Sequence, residues 1–157
     1  MLSRVGFTLL LLPIAALAED RCPWMNAATA GGYLGGTPTT QVKPGPPDSD
    51  DASCSFELRA GETLSKLTID VTTMRSPQRD FTAFLAQCPT KTALKAIGNE
   101  AVSCSGADHS TRSELVVGRV RDHAFVLRLS TNAASPDSAA LHEKAVKAAE
   151  QVAGILF

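Results

Sequence analysis

Residues 54–72 have the sequence CSFELRAGETLSKLTIDVT, and this stretch decides the fold. Apolar and polar residues alternate on both sides of the break at Ala60-Gly61-Glu62. The apolar set comprises Cys54, Phe56, Leu58, Leu67, Ile69 and Val71. A period of two is typical of a half-buried strand, and a short break between two such runs is typical of a hairpin. The stretch therefore predicts two antiparallel strands with one covered face.

Later parts of the chain extend the sheet. Residues 114–120 predict a strand, Arg121-Asp122-His123 a turn, and residues 124–130 a returning strand with Phe125, Leu127 and Leu129 on one face. Residues 101–105 predict a short strand, while the structure of residues 93–101 stays ambiguous from sequence. The pattern thus gives a sheet of about five antiparallel strands.

Three helices are expected around these strands. The first covers residues 23–34 and ends at Gly35-Gly36. Ser76-Pro77 and Ser135-Pro136-Asp137 each join a capping residue to a proline, which favours a helix start. Each follows a group of strands, so the chain carries a faint internal repeat. The order predicts an α+β domain with helices on one face of the sheet and the other face in water.

The beginning of the chain predicts export. Residues 1–18 combine the basic Arg4, an apolar run and the small-residue ending Ala16-Leu17-Ala18, as in a cleavable signal peptide. The run is too short for a membrane anchor, and charged residues before Cys22 disfavour a lipidation site. We expect a periplasmic or secreted protein with no stable membrane insertion after cleavage. Residues 19–157 would form one domain, in which the Pro-, Gly- and Asp-rich residues 37–53 are a mobile loop.

Four cysteines follow the predicted cleavage site. An even count in an exported chain indicates disulfides, and three pairings are possible. Cys54 lies on the apolar face of its strand, where a bond to Cys22 would tie down the first helix. Cys88 follows Phe84 on an apolar helix face, and Cys104 follows Val102 on one face of its strand. We therefore predict Cys22–Cys54 and Cys88–Cys104.

Some short stretches resemble known families. Cys22 opens a helix that ends at residues 34–36, Cys54-Ser55-Phe56 opens a strand, and residues 97–101 (Ile-Gly-Asn-Glu-Ala) precede another. This order resembles actinobacterial secreted lipoproteins of unknown function, and is similar to the extracellular sensor domains of bacterial receptor Ser/Thr kinases. The missing lipidation site departs from that pattern. The resemblance implies a non-catalytic envelope domain and transfers no functional residues.

The residues that could carry chemistry are scattered. His109, His123 and His142 are far apart in sequence and are expected to be exposed, so no metal or other cofactor is predicted. No serine lies in a Gly-x-Ser-x-Gly motif, and Glu100 has no evident partner acid. The 15 Lys plus Arg nearly balance the 16 Asp plus Glu, which gives no reason to expect nucleic acid as a partner.

These observations favour a non-catalytic exported domain that binds or senses an envelope protein or a small ligand. The alternatives are a secreted inhibitor or structural accessory protein and, less favoured, a small exported hydrolase. Alternation leaves polar side chains on the uncovered face of the sheet. The candidate binding residues on that face are Arg59, Lys66, Asp70 and Arg128.

Overall fold

A computed structural model describes residues 21–157, and the predicted signal peptide lies outside them. The helices are α1 (Ala27–Leu34), α2 (Pro77–Leu85) and α3 (Ser138–Leu156). The strands are β1 (Thr39–Pro44), β2 (Ala52–Ala60), β3 (Thr63–Thr73), β4 (Thr92–Leu94), β5 (Glu100–Asp108), β6 (Thr111–Val120) and β7 (His123–Thr131). The chain is α+β, as predicted.

The strands form one antiparallel sheet in the order β1-β2-β3-β7-β6-β5-β4. Two meanders, β1 to β3 and β4 to β7, meet where β3 pairs with β7. The predicted hairpin is present with Cys54 opposite Ile69 and Phe56 opposite Leu67. Residues 54–72 therefore supply most of β2 and β3, two of the three strands of the first meander.

The sheet has seven strands in the described chain, so the expected number of five was too low. The two additional strands, β1 and β4, lie at the edges. β1 runs through the segment predicted to be a mobile loop, residues 37–53, and pairs with β2 from Thr39 opposite Glu57 to Pro44 opposite Ala52. An edge strand accepts proline at its end because no further strand needs that N–H. The Pro-, Gly- and Asp-rich composition of residues 37–53 therefore gave no signal for β1, although this strand pairs with β2.

Helices cover both faces of the sheet, and the expectation of helices on one face was wrong. α1 and α3 pack on the face that carries Phe56, Ile69 and Leu127. α2 packs on the opposite face, where its Phe81 lies in a second apolar cluster. That cluster also contains Met74, Cys88, Val102, Leu115, Val117, Ala124 and Val126. The protein thus has two apolar cores separated by the sheet.

The cysteines form the two predicted disulfides, Cys22–Cys54 and Cys88–Cys104. They lie on opposite faces of the sheet: Cys54 belongs to the core under α1 and α3, and Cys88 to the core under α2. Each bond therefore fastens the chain to a different core, the first just before α1 and the second just after α2.

Helix ends follow the predicted positions with different caps. α1 begins later than expected, after Asn26, whose side chain accepts a hydrogen bond from the Thr29 N–H. Gly35 ends it in the left-handed conformation at φ 89°. α3 is capped by Asp137, which accepts from two backbone N–H groups, and not by Ser135. At α2 the Asp80 carboxylate accepts from the Ser76 N–H, a contact that holds the pKa of Asp80 below its ordinary value.

Candidate functional site

One part of the sheet surface is left uncovered by the helices. On the side of α2, that helix packs against β6 and β7, and within residues 21–157 its apolar cluster includes no residue of β2 or β3. We call this surface the open face; its outward residues are Ser55, Glu57, Arg59, Lys66, Thr68, Asp70, Thr72, Arg128 and Ser130. Only half of the face predicted to be in water is therefore accessible.

The predicted candidate residues all lie on the open face. Thr68 stands between Lys66 and Asp70 along β3, and Arg128 lies directly opposite Thr68 on β7. Arg59, Asp70 and Arg128 are exposed. Lys66, Asp70 and Arg128 thus surround Thr68, while Arg59 lies farther along the same side of the sheet, on β2 opposite Leu64.

One of these charges is already paired. The Lys66 Nζ lies 2.7 Å from Glu57 Oε1 across the β2–β3 ladder. This hydrogen bond, together with the charges of Lys66 and Arg59, lowers the pKa of Glu57. Within residues 21–157 the ion pairs of the protein do not include Arg59, Asp70 or Arg128.

Strand alternation also assigns Val126 to the face expected to be in water, but this residue is not exposed. The side chain faces the same side of the sheet as Arg128, yet the residue is only 8% exposed because α2 covers it. The open face therefore ends between these two positions of β7.

A second polar group lies on the opposite face, beneath α3. Glu114 on β6 has a side chain that is only 4% exposed. Its carboxylate accepts a hydrogen bond from the Ser105 hydroxyl on β5, and its Oε2 lies 3.3 Å from Nδ1 of His142 on α3. Register places these groups together, since Ser105 is the cross-strand partner of Glu114. No role was predicted for Glu114, and the expectation that all three histidines are exposed was wrong for His123, whose side chain is 18% exposed.

This group borders a concavity at the β4 side of the sheet. A surface cleft of about 370 Å³ is lined by Thr92, Ser103, Ser105, Glu114 and His142, among others. We call it the Glu114 cleft. Ser103, only 2% exposed, shares the α3-facing side of β5 with Ser105, and Thr92 pairs with it from β4. The helix-covered face is thus apolar over the central strands and lined with oxygen atoms at this end.

The three side chains do not have the order of a hydrolase triad. In such a triad the imidazole lies between the hydroxyl and the acid. Here the acid lies between them, since both Ser105 and His142 bind to Glu114. The hydroxyl therefore has a carboxylate, and not an imidazole, as its hydrogen-bond acceptor.

A sequence signal for the buried acid exists. Leu115-Val116-Val117 places apolar side chains on both faces of one strand, which is typical of a strand covered on both sides. A charged residue next to such a run is a candidate for burial, although Arg128, next to the similar run Phe125-Val126-Leu127, is exposed. On β6 this pattern makes Glu114 a candidate buried carboxylate.

His109 and His123 do not line the Glu114 cleft. His109 is exposed beside Asp108, and His123 lies 3.0 Å from Asp122 at a turn, largely covered. A groove of about 230 Å³ between the end of α1 and the start of α3 has Leu34, Leu129 and Leu141 among its walls. Burial, followed by the charge of Glu150, raises the pKa of Tyr33 at its edge.

Two tests for special sites were negative in the described chain. Residues 21–157 contain no group of three or more His, Cys, Asp or Glu side chains that could hold a metal ion. None of the helices among these residues is both long enough and apolar enough for a membrane span.

In comparisons with known proteins, no family model, no curated protein and no solved structure matches this chain.

Proposed function

We propose that this protein is a non-catalytic exported domain that recognises an envelope protein through its open face. The observation that carries the proposal is the grouping of Arg59, Lys66, Asp70 and Arg128 on a sheet surface that no helix of the described chain covers. Mixed charges of this kind give orientation and speed to association more than affinity. Binding would therefore weaken as salt is raised.

Export is part of the same proposal. It rests on the signal-peptide pattern of residues 1–18 and on the two disulfides, since such bonds persist in oxidising compartments. The proposed location is the periplasm or the extracellular space. The resemblance to secreted lipoproteins and kinase sensor domains agrees with this role and stays a prediction.

The non-catalytic part of the proposal rests on chemistry. The sequence has no hydrolase motif, and the hydroxyl, acid and imidazole under α3 are ordered as a hydrogen-bonding group around Glu114. A binding domain needs such polar groups to be fixed in place, without an activated nucleophile.

The test is a quantitative capture experiment from the native envelope. We expect the variant R59E/K66E/R128E to lose the partners that the wild-type domain retains at low salt. The matched control, K91E/K95E/K144E, reverses three exposed charges outside the open face and should retain them. Circular dichroism confirms that both variants are folded. Equal capture by the two variants would refute the proposal.

A further inference from the structure

The Glu114 cleft holds a nearly buried carboxyl group, and the described residues that line it include no Lys or Arg. Removing a carboxylate from water is costly unless it is paired and hydrogen-bonded. Among the residues that line the 370 Å³ cleft in the described chain, none is Lys or Arg. Arg112 lines a smaller adjoining cleft of about 170 Å³, but the ion pairs found within residues 21–157 do not join it to Glu114. The ionisable neighbour of Glu114 is His142, which is cationic only when protonated.

The carboxylate also keeps unused hydrogen-bonding capacity. A carboxylate offers about four acceptor positions on its two oxygens. Ser105 uses one position on Oε1, and His142 approaches Oε2. Besides Glu114, Ser105 and His142, the residues that line the cleft include Thr92 and Ser103. The site thus offers one anionic acceptor surrounded by neutral oxygen atoms.

We propose that the Glu114 cleft binds a small organic cation, with an ammonium group on the Glu114 carboxylate and hydroxyl or carbonyl groups on the surrounding serine and threonine side chains. An ammonium group donates three hydrogen bonds and supplies a positive charge next to the carboxylate, which the lining of the cleft does not provide. Anionic ligands would meet the charge of Glu114 directly. A divalent metal ion fits less well, because the described residues provide no group of three metal-ligating side chains.

This site is separate from the open face. Glu114 and His142 lie on the side of the sheet covered by α3, whereas Arg59 and Arg128 lie on the side of α2. Loss of partner binding through the open face would therefore leave ligand binding in the cleft unaffected. The two proposals can fail independently.

The experiment is a titration followed by two-dimensional ¹H–¹⁵N NMR at constant pH. The probe is ethanolamine, and the matched controls are ethylene glycol and glycolate, which have the same size with a neutral and an anionic group. We expect saturable shifts of the amides of Ser103, Ser105, Glu114 and His142 with ethanolamine alone. The variant R59E/K66E/R128E should show the same shifts.

Two variants identify the carboxylate as the binding group. E114Q keeps the shape and removes the charge, and we expect it to bind the probe about tenfold more weakly or worse. E100Q removes an exposed carboxylate of the neighbouring strand, β5, and should bind as wild type does. Should E114Q fail to fold, H142K supplies an ammonium next to the intact carboxylate and should abolish probe binding.

Several outcomes would overturn the proposal. The first is that ethylene glycol causes shifts equal to those caused by ethanolamine. The second is that folded E114Q, or H142K, binds ethanolamine as tightly as wild type does. The third is that ethanolamine causes no saturable shifts. A Ca²⁺ titration is included as a fourth arm. A stronger response to Ca²⁺ than to ethanolamine would also overturn it, since the cleft would then be a metal site.

Discussion

The ring of Phe125 on β7 occupies the space directly over Gly118, its cross-strand partner on β6. A Cβ atom at position 118 would overlap the atoms of that ring. Phe125 is fully buried among the residues under α1 and α3. The glycine thus allows the largest side chain of β7 to lie flat on the neighbouring strand.

The first prediction follows from this contact. G118A should destabilise the protein by about 1–3 kcal/mol, because the added methyl group displaces the ring in a packed core. The double variant G118A/F125L should recover part of that loss, since the two changes act on the same contact. Urea denaturation measures both. If the free energy of unfolding that G118A loses is not recovered at all in G118A/F125L, the contact between Gly118 and Phe125 is contradicted.

The second prediction compares a position that α2 covers with a position on the open face. V126S places a hydroxyl in the apolar cluster under α2 and should cost about 2 kcal/mol or more. Arg128 lies two residues after Val126 on the same strand and on the same side of the sheet. R128S should change stability by less than about 0.5 kcal/mol. Thermal or denaturant unfolding checks the pair. Similar effects at both positions would mean that α2 does not cover Val126.

The third prediction concerns the disulfides. The chain-entropy model gives about 3 kcal/mol for the Cys88–Cys104 bond and about 4 kcal/mol for Cys22–Cys54, whose cysteines are 16 and 32 residues apart. C88A/C104A and C22A/C54A should each lose a free energy of unfolding of that size. Peptide mapping without reduction checks the pairing. A Cys22–Cys88 or Cys22–Cys104 peptide would contradict it.

The fourth prediction concerns pH. Because the bond to Lys66 lowers the pKa of Glu57 in the folded state, this pair stabilises the protein above the unfolded pKa of about 4.3. That contribution is lost as pH falls through the lower folded pKa. Both side chains are about a third exposed, at 38% and 33%, so the effect should stay below about 1 kcal/mol.

The measurement is an NMR titration of the Glu57 carboxyl. K66M should raise the pKa of Glu57 toward its ordinary value, because it removes the donor and its charge together. K91M removes an exposed charge elsewhere and should leave the titration unchanged. An identical Glu57 titration in K66M and wild type would show that the pair does not form in solution.

Much of the fold could be predicted because its central strands follow simple rules. The hairpin at residues 54–72, the strands β6 and β7, the start of α2 and both disulfides came from alternation, turn residues and caps. The edge strands were missed for a physical reason. β1 contains few apolar residues and ends at Pro44, and β4 has only three residues, so neither carries a periodic pattern.

The second helix layer was missed although two signals for it were present. Leu115-Val116-Val117 and Phe125-Val126-Leu127 are apolar on both faces of their strands, which indicates cover on both sides. The polar group of the cleft could not have been assembled by the same means. Its members come from β4, β5, β6 and α3, and only the register and the path of the last helix bring Glu114 to His142.

The proposed partner surface is tested most directly by site-specific photo-crosslinking in the native envelope. A photoreactive residue at Thr68, at the centre of the open face, should give discrete crosslinked products that disappear in the R59E/R128E background. The same residue at Ala83 on α2 or at Glu150 on α3, both exposed, should give none of them. Equal products from all three positions, or none from Thr68, would contradict the account.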